Sequence, residues 1–262
     1  MTSKPVEEPL EGGNTNTVVR CSDTVRRNLT PHSQTIHRYL MHLKSKGVPA
    51  PEFLGIDSQG REILSFIEGE TNFPHDLWLN DDALIKSGQI LRHLHDASVE
   101  FVPSTSTSWA YHYPDQTRHE VICHNDFAPY NMVFKGGLPI AILDFDLCGP
   151  GPRIRDLAYL AFWMVPLSFT FDDLVPHTES QLAKGCPRLK LLCETYGGEQ
   201  PNEVIHMISE VLEHMSSETA ATQMLGSDAA ERLRLGGHFA NWAREAEAFD
   251  AQRKEVLEAI RD

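Results

Sequence analysis

With 262 residues and 41% hydrophobic content, the chain has an ordinary globular composition and could form one large domain or two small ones. The 37 acidic residues outnumber the 23 basic ones for a formal net charge of -14, almost all of it after residue 70, which speaks against nucleic acid or an anionic membrane as a partner. Five irregularly spaced cysteines make no disulfide framework, the opening Met1-Thr-Ser-Lys-Pro-Val-Glu-Glu has no apolar signal core, and the apolar patch from Leu157 to Phe169 is too short to span a bilayer, so a reduced cytoplasmic setting is expected.

In chain order, residues 1–9 read as a frayed start and Gly12-Gly13-Asn14-Thr15 as a turn between two β-type runs. Thr17 to Arg20 and Thr24 to Arg27 form the next pair of runs, turning at Ser22-Asp23. Alternation places Val25 and Arg27 on one strand face and Thr24 and Arg26 on the other. Thr30 and Pro31 have the residue types of an N-cap and first helical position; the apolar stripe Ile36, Tyr39, Leu40, Leu43 carries a helix to about Ser45, and Gly47 sits where a C-terminal glycine belongs. Phe53–Ile56 and Glu62–Ile67 read as two further strands joined through Asp57–Gly60. The pattern changes near Glu70, which divides the chain into 1–70, a small sheet with one helix, and 71–262, mainly helical. There, helices are expected over Asp81–Ala97, from Asp156 to Trp163, over about Ser180–Tyr196 and Asn202–Ser216, and over Ala229–Glu258 with Gly236-Gly237 inside. Pro103 to Tyr113, rich in Ser, Thr and aromatics, is expected to be a loop.

The chemically dense stretch is Val121-Ile-Cys-His-Asn-Asp-Phe-Ala-Pro-Tyr-Asn-Met-Val-Phe134, followed by Pro139-Ile-Ala-Ile-Leu-Asp-Phe-Asp146. Gly136-Gly137 between two β-type runs signals a two-residue hairpin. Such a hairpin brings the residues before Met132 close to those after Leu143, so Asp126, Asn131 and Asp144 converge. Phosphoryl transfer needs that set: one carboxylate to orient a hydroxyl and take its proton, and an amide oxygen with a second carboxylate to hold magnesium on nucleotide phosphates. A zinc site on His119, His124 and Asp126 is disfavoured, because no further ligands flank it at the usual spacing.

The spacing H-x-D-x-x-x-x-N with a following D-F-x resembles the catalytic and metal loops of protein kinases. Its form here, and the run from Asp144 through Asp156-Leu-Ala158, is similar to the small-molecule branch: aminoglycoside phosphotransferases, choline kinases and their relatives. The resemblance implies a two-lobed α+β kinase-like fold. It casts Gly13 and Asn16 as nucleotide-loop residues, although Glu11 stands where a first glycine belongs. It places a phosphate-holding cation on the second strand pair, where Arg27 is preferred to Arg26, and adenine contacts at the backbone of Ser65 and Ile67. Asp156 and His95 are implied to be structural.

Two departures stand out. The kinase lysine is replaced by arginine, and no Asp or Glu lies between Thr24 and Pro51 to pair with it. Arg27 is therefore expected to lack a carboxylate tether until nucleotide orders it, and His37 is read as a satisfied or surface helix residue. The expected activity is transfer of the γ-phosphate of ATP or GTP, with Mg2+, to a hydroxyl of a small molecule such as an aminoglycoside, amino alcohol or sugar. Asp126 would be the base and Asn131 and Asp144 the metal ligands, with Asp146 an extra metal or loop ligand or a turn cap. The acidic surface suits a cationic acceptor. The alternative is a catalytically degenerate kinase fold acting as a nucleotide-binding or regulatory protein, motivated by the same two departures.

Overall fold

The short runs in the first third pair into an antiparallel sheet. In a computed structural model of the chain, residues 7–10 and 18–261 are described. β1 (Glu8–Pro9), β2 (Val19–Cys21), β3 (Thr24–Arg27), β4 (Phe53–Ile56) and β5 (Glu62–Ser65) form one sheet in the order β1-β2-β3-β5-β4. Because β5 inserts between β3 and β4, Arg27 lies directly opposite Glu62. That cross-strand pairing is invisible until the strand order is known.

Between β3 and β4 runs α1 (Ser33–Ser45), which starts two residues after Pro31. The Thr30 N–H donates to Ser33 Oγ at 2.8 Å and the Thr30 hydroxyl accepts from the His32 N–H at 3.3 Å, so this threonine closes a turn ahead of the helix instead of capping it. Its far end is as expected: Gly47 takes φ 70 and the Val48 N–H reaches back to the Leu43 carbonyl at 3.1 Å. Ile36, Tyr39, Leu40 and Leu43 are buried along one stripe.

The remainder is helical around two small β elements. α2 (Asp81–Val99) is capped by Asn80, which accepts from the Ala83 N–H at 3.0 Å, with Asp81 and Asp82 in the favourable first turn. β6 (Val121–Cys123) leads into the catalytic stretch. β7 (Met132–Lys135) and β8 (Leu138–Ile142) form the expected hairpin, turned by Gly136 and Gly137 at φ 60 and 79. β9 (Gly149–Gly151), not expected from the sequence, returns to pair with β6.

Seven helices follow among the described residues: α3 (Arg153–Met164), α4 (Val175–Leu182), α5 (Pro187–Tyr196), α6 (Pro201–Met215), α7 (Glu218–Leu225), α8 (Ser227–Leu235) and α9 (His238–Ala259). The single helix expected over Ser180–Tyr196 is two, because Gly185 and Cys186 both take positive φ (76 and 49) and Pro187 starts the next helix. Likewise Gly237, at φ 75, divides the helix expected over Ala229–Glu258, and α7 fills a stretch left unassigned. No described helix is long and apolar enough to cross a membrane.

The sheet and the helical part are stitched by backbone. Glu70 and Phe134 exchange two N–H···O bonds of 2.8 and 2.7 Å, and the Ile142 N–H donates to the Pro49 carbonyl at 3.0 Å. At the first crossing a Cβ on Gly69 would lie 2.5 Å from Val133 Cγ1 and 2.6 Å from the Phe134 carbonyl oxygen, so only glycine fits.

Candidate active site

The loop after β6 is shaped from below by one buried carboxylate. Asp156, at the start of α3 and fully buried, accepts from the backbone N–H of His124 (2.6 Å) and Asn125 (2.8 Å), and from His95 Nε2 at 3.0 Å. Burial alone would raise its pKa; His95 and the loop amide overcome that and hold it below the usual carboxylate value. His95 in turn meets the Tyr196 hydroxyl at 2.7 Å, so both its ring nitrogens are engaged. Asn125 takes φ 64, with its amide on the Leu147 carbonyl (2.8 Å) and its oxygen on Arg155 Nε (2.9 Å). A non-glycine residue in the left-handed region is held there by its surroundings.

That brace presents Asp126. Its backbone N–H donates to His124 Nδ1 at 3.3 Å, while His124 Nε2 donates to the Leu143 carbonyl at 2.8 Å. His124 therefore ties the loop to the hairpin exit and has no nitrogen left for a metal. The Asn131 amide nitrogen donates to the Asp126 carbonyl (3.0 Å) and to Oδ2 (2.8 Å), and the Leu143 N–H donates to the Asn131 carbonyl at 2.7 Å. Asp144 follows at φ 58 with its side chain 48% exposed. Asp126, Asn131 and Asp144 thus come together. Burial pushes the Asp126 pKa up, and the charge of Asp144 adds to that push while Tyr130 and Asn131 oppose it.

The Asn131 amide nitrogen is spent on Asp126, which leaves its Oδ1 and the exposed Asp144 carboxylate as neighbouring oxygen donors. Two hard oxygen ligands on a partly solvated edge fit magnesium, which keeps several waters and takes the rest of its shell from phosphate.

Arg27 is not untethered. Its Nε donates to Glu62 Oε1, its terminal nitrogens hold Asp146 at 2.7 and 3.1 Å, and Asp144 lies 3.5 Å away. Burial disfavours its charge, but Asp146, Glu62 and Asp144 together hold its pKa above the ordinary arginine value. Glu62, 0% exposed, also meets His37 Nε2 at 2.6 Å, and the His37 ring stacks on Phe53 with centroids 3.7 Å apart. The carboxylate missing from α1 is supplied by β5, and α1 contributes the histidine that grips it. Asp146 does not cap a turn; its carboxylate pairs with Arg27. Burial and the charges of Asp144 and Glu62 push its pKa up to about 6 against the pull of Arg27. Arg26 points to the other face, onto the Thr24 hydroxyl at 2.6 Å.

Of the remaining expected residues, Ser65 has its N–H on the Glu52 carbonyl at 2.9 Å and its hydroxyl accepting from the Glu52 N–H at 2.8 Å, so the sheet takes its amide. The Phe66 N–H still pairs with the Asp23 carbonyl at 2.9 Å, and Ile67 is the first residue beyond these pairs. Gly13 and Asn16 lie outside the described residues.

Beside Asp126 stands an aromatic wall that sequence reasoning did not assign. Tyr130 donates its hydroxyl to Asp126 Oδ1 and meets the Tyr159 hydroxyl at 2.7 Å. Its ring lies edge-on to Trp163 at 5.5 Å, and Trp163 packs against Phe171 (5.9 Å) and Trp242 (6.2 Å). Glu245, buried in α9, fixes the segment carrying Phe171 by accepting from Ser168 Oγ, Phe169 N–H and Thr170 N–H, each at 2.9 Å. Tyr130 sits inside the quoted motif, so its closeness to Asp126 could have been asked of the sequence. Glu245 could not.

Residues 107–192 match the model of the phosphotransferase enzyme family, a span that includes Asp126, Asn131, Asp144 and Asp156. The trifolitoxin immunity protein of Rhizobium leguminosarum bv. trifolii is 33% identical over 195 residues, covering 72% of this chain and 73% of that protein. The chain belongs to the phosphotransferase enzyme family. Among solved structures, a choline/ethanolamine kinase family protein from Mesorhizobium loti superposes with a TM-score of 0.59 at 16% identity, covering 100% of this chain and 94% of that one. The gentamicin-APH(2")-IIa complex gives 0.61 at 13% identity over 92% and 90% of the two chains, and a Plasmodium vivax ethanolamine kinase gives 0.60 at 14% over 92% and 84%. These likenesses show the kinase-like fold: a small antiparallel sheet followed by a mostly helical part.

Proposed function

We propose that this family member transfers the γ-phosphate of ATP or GTP to a hydroxyl of a small molecule. The observation that carries the reading is the meeting of Asp126, Asn131 and Asp144 at the mouth of the β7–β8 hairpin. Asp126 orients the acceptor hydroxyl and takes its proton; a carboxyl whose pKa is raised by burial is a better base than an exposed one. Asn131 Oδ1 and Asp144 would hold magnesium, which when bound neutralises phosphate charge. Arg27, held by Glu62, would turn its fork from Asp146 toward the phosphates, while the backbone at Ile67 and, as the sequence resemblance implies, Gly13 and Asn16 would receive the rest of the nucleotide. In this reading residues 1–70 form the nucleotide lobe and 71–262 carry the catalytic and metal loops and the acceptor site.

For the acceptor we infer a cationic or polyhydroxylated compound. Tyr130, Trp163 and Phe171, partly exposed next to the base with Trp242 buried behind them, and the acidic charge of the chain favour a ligand cation near aromatic rings. The name of the rhizobial relative adds hydroxyl-bearing toxins to the compounds worth testing. The test is a nucleotide-consumption screen over aminoglycosides, amino alcohols, sugars, nucleosides and such toxins, with Asp126→Asn as blank. Consumption that is equal in wild type and blank across the whole panel would overturn the reading and leave the degenerate-kinase alternative.

A further inference from the structure

Both oxygens of the candidate base are engaged by the chain itself. Oδ2 accepts from the Asn131 amide at 2.8 Å, on the metal side. Oδ1 accepts from the Tyr130 hydroxyl. The two bonds differ in kind. An amide donor next to the metal ligands holds the carboxylate in place. A hydroxyl donating to the other oxygen does what an acceptor hydroxyl must do before transfer.

Tyr130 is placed to make that bond and to give it up. Its oxygen is backed by the hydroxyl of Tyr159, 2.7 Å away on α3 and only 2% exposed, which is a fixed post. Tyr130 itself is 37% exposed, and its ring leans on one face of Trp163. On the proposal that follows, this partly exposed ring would swing outward while the buried Tyr159 stays in place.

We propose that Tyr130 is a placeholder for the acceptor: its hydroxyl occupies Asp126 until a substrate hydroxyl displaces it, and so keeps water off the base. The inference rests on the phosphotransferase reading and adds a discrimination that reading lacks. Water is always present and small enough to reach an open carboxylate. If it did, its oxygen would bond to the γ-phosphorus and its proton would pass to Asp126. The bond from that phosphorus to the bridging oxygen would break, releasing nucleoside diphosphate and inorganic phosphate. Displacing a seated hydroxyl needs the binding energy of a whole acceptor, which water cannot supply.

Tyr130→Phe keeps the ring and its contact with Trp163 and removes only the hydroxyl. With Mg-ATP or Mg-GTP and no acceptor, its phosphate release should exceed wild type by about ten- to a hundredfold, the worth of one hydrogen bond to a charged group. Tyr159→Phe, which removes only the post, should show a smaller rise, and it carries the test if Tyr130→Phe melts early. Equal phosphate release in wild type and both variants would overturn the proposal. So would phosphate found by mass spectrometry on Tyr130 of the wild type, since the hydroxyl would then be a substrate. Calorimetric titration of the wild type with Mg-nucleotide separates the two levels. Absence of binding removes the phosphotransferase reading and the placeholder with it; binding with unchanged hydrolysis removes the placeholder alone.

Discussion

Two polar clusters meet at Asp144. On one side are Asp126, Tyr130 and Asn131, from six consecutive residues, with Asp144 delivered by a tight hairpin. On the other are Arg27 from β3, Glu62 from β5, His37 from α1 and Asp146 from the loop beyond β8. The first is built from short-range geometry, one turn and one Gly-Gly reversal. The second exists only because β5 inserts between β3 and β4 and sets Glu62 opposite Arg27. The first cluster offers chemistry to an incoming molecule, whereas the second spends its charges on itself. The difference suggests a division between a reacting centre and a positioning frame, and that division can be attacked from both ends.

The largest effect is expected at the reacting centre. Asp126→Asn should lower kcat by about 10²- to 10⁴-fold, the usual worth of a general base, with Mg-nucleotide affinity near wild type. Asp144→Ala should instead abolish the magnesium dependence of nucleotide binding, read by titration with and without the metal. If the two variants lose the same property, the base and metal assignments have been drawn too sharply.

At the frame, removing the shared carboxylate should cost stability first. Glu62→Ala leaves Arg27 and His37 facing a buried hole, and a loss of about 3–5 kcal/mol in denaturant unfolding is expected. Arg27→Ala should raise nucleotide KM more than it lowers kcat. A Glu62→Ala protein that melts early but keeps wild-type nucleotide KM would make the cluster structural only.

A smaller effect separates the clusters by pH. The Asp146 pKa is about 6 in the folded chain, against about 3.9 in an unfolded one. The folded state therefore holds this proton more tightly, so its contribution to stability is complete below pH ~4 and is lost as pH rises through ~6. Asp146→Asn lacks that loss, and without magnesium it should gain on the order of 1–2 kcal/mol relative to wild type between pH 4 and pH 8. A constant difference across that range would mean Arg27 offsets the burial of Asp146 completely. The smallest effect on nucleotide KM is expected at Arg26→Ala, near wild type, because its side chain turns to Thr24 on the opposite face.

What could be read from the chain follows the same division. Asp126, Asn131 and Asp144 could be brought together on paper because a two-residue turn has few solutions. The separation of Arg27 from Arg26 needed only strand alternation. The partner of Arg27 could not be found by searching nearby in sequence for an acid, because it lies 35 residues away on a strand that is not its chain neighbour. One sign was present: Glu62 stands directly before the apolar pair Ile63-Leu64, and a carboxylate buried there needs cations. Helix ends were missed where single backbone angles decide, at Cys186 and Gly237.

The β7–β8 hairpin, held on one edge by Glu70 and on the other by Pro49, carries Asn131 at its entry and Asp144 just past its exit. It behaves as a shared beam between sheet and helices. Any rotation of the five-stranded sheet against the helical part loads this beam at both edges, and the load arrives at its two ends. Opening the molecule is thus expected to spread the two candidate metal ligands, and amide exchange at Phe134 and Ile142 that stays unchanged on magnesium-nucleotide binding would argue against it.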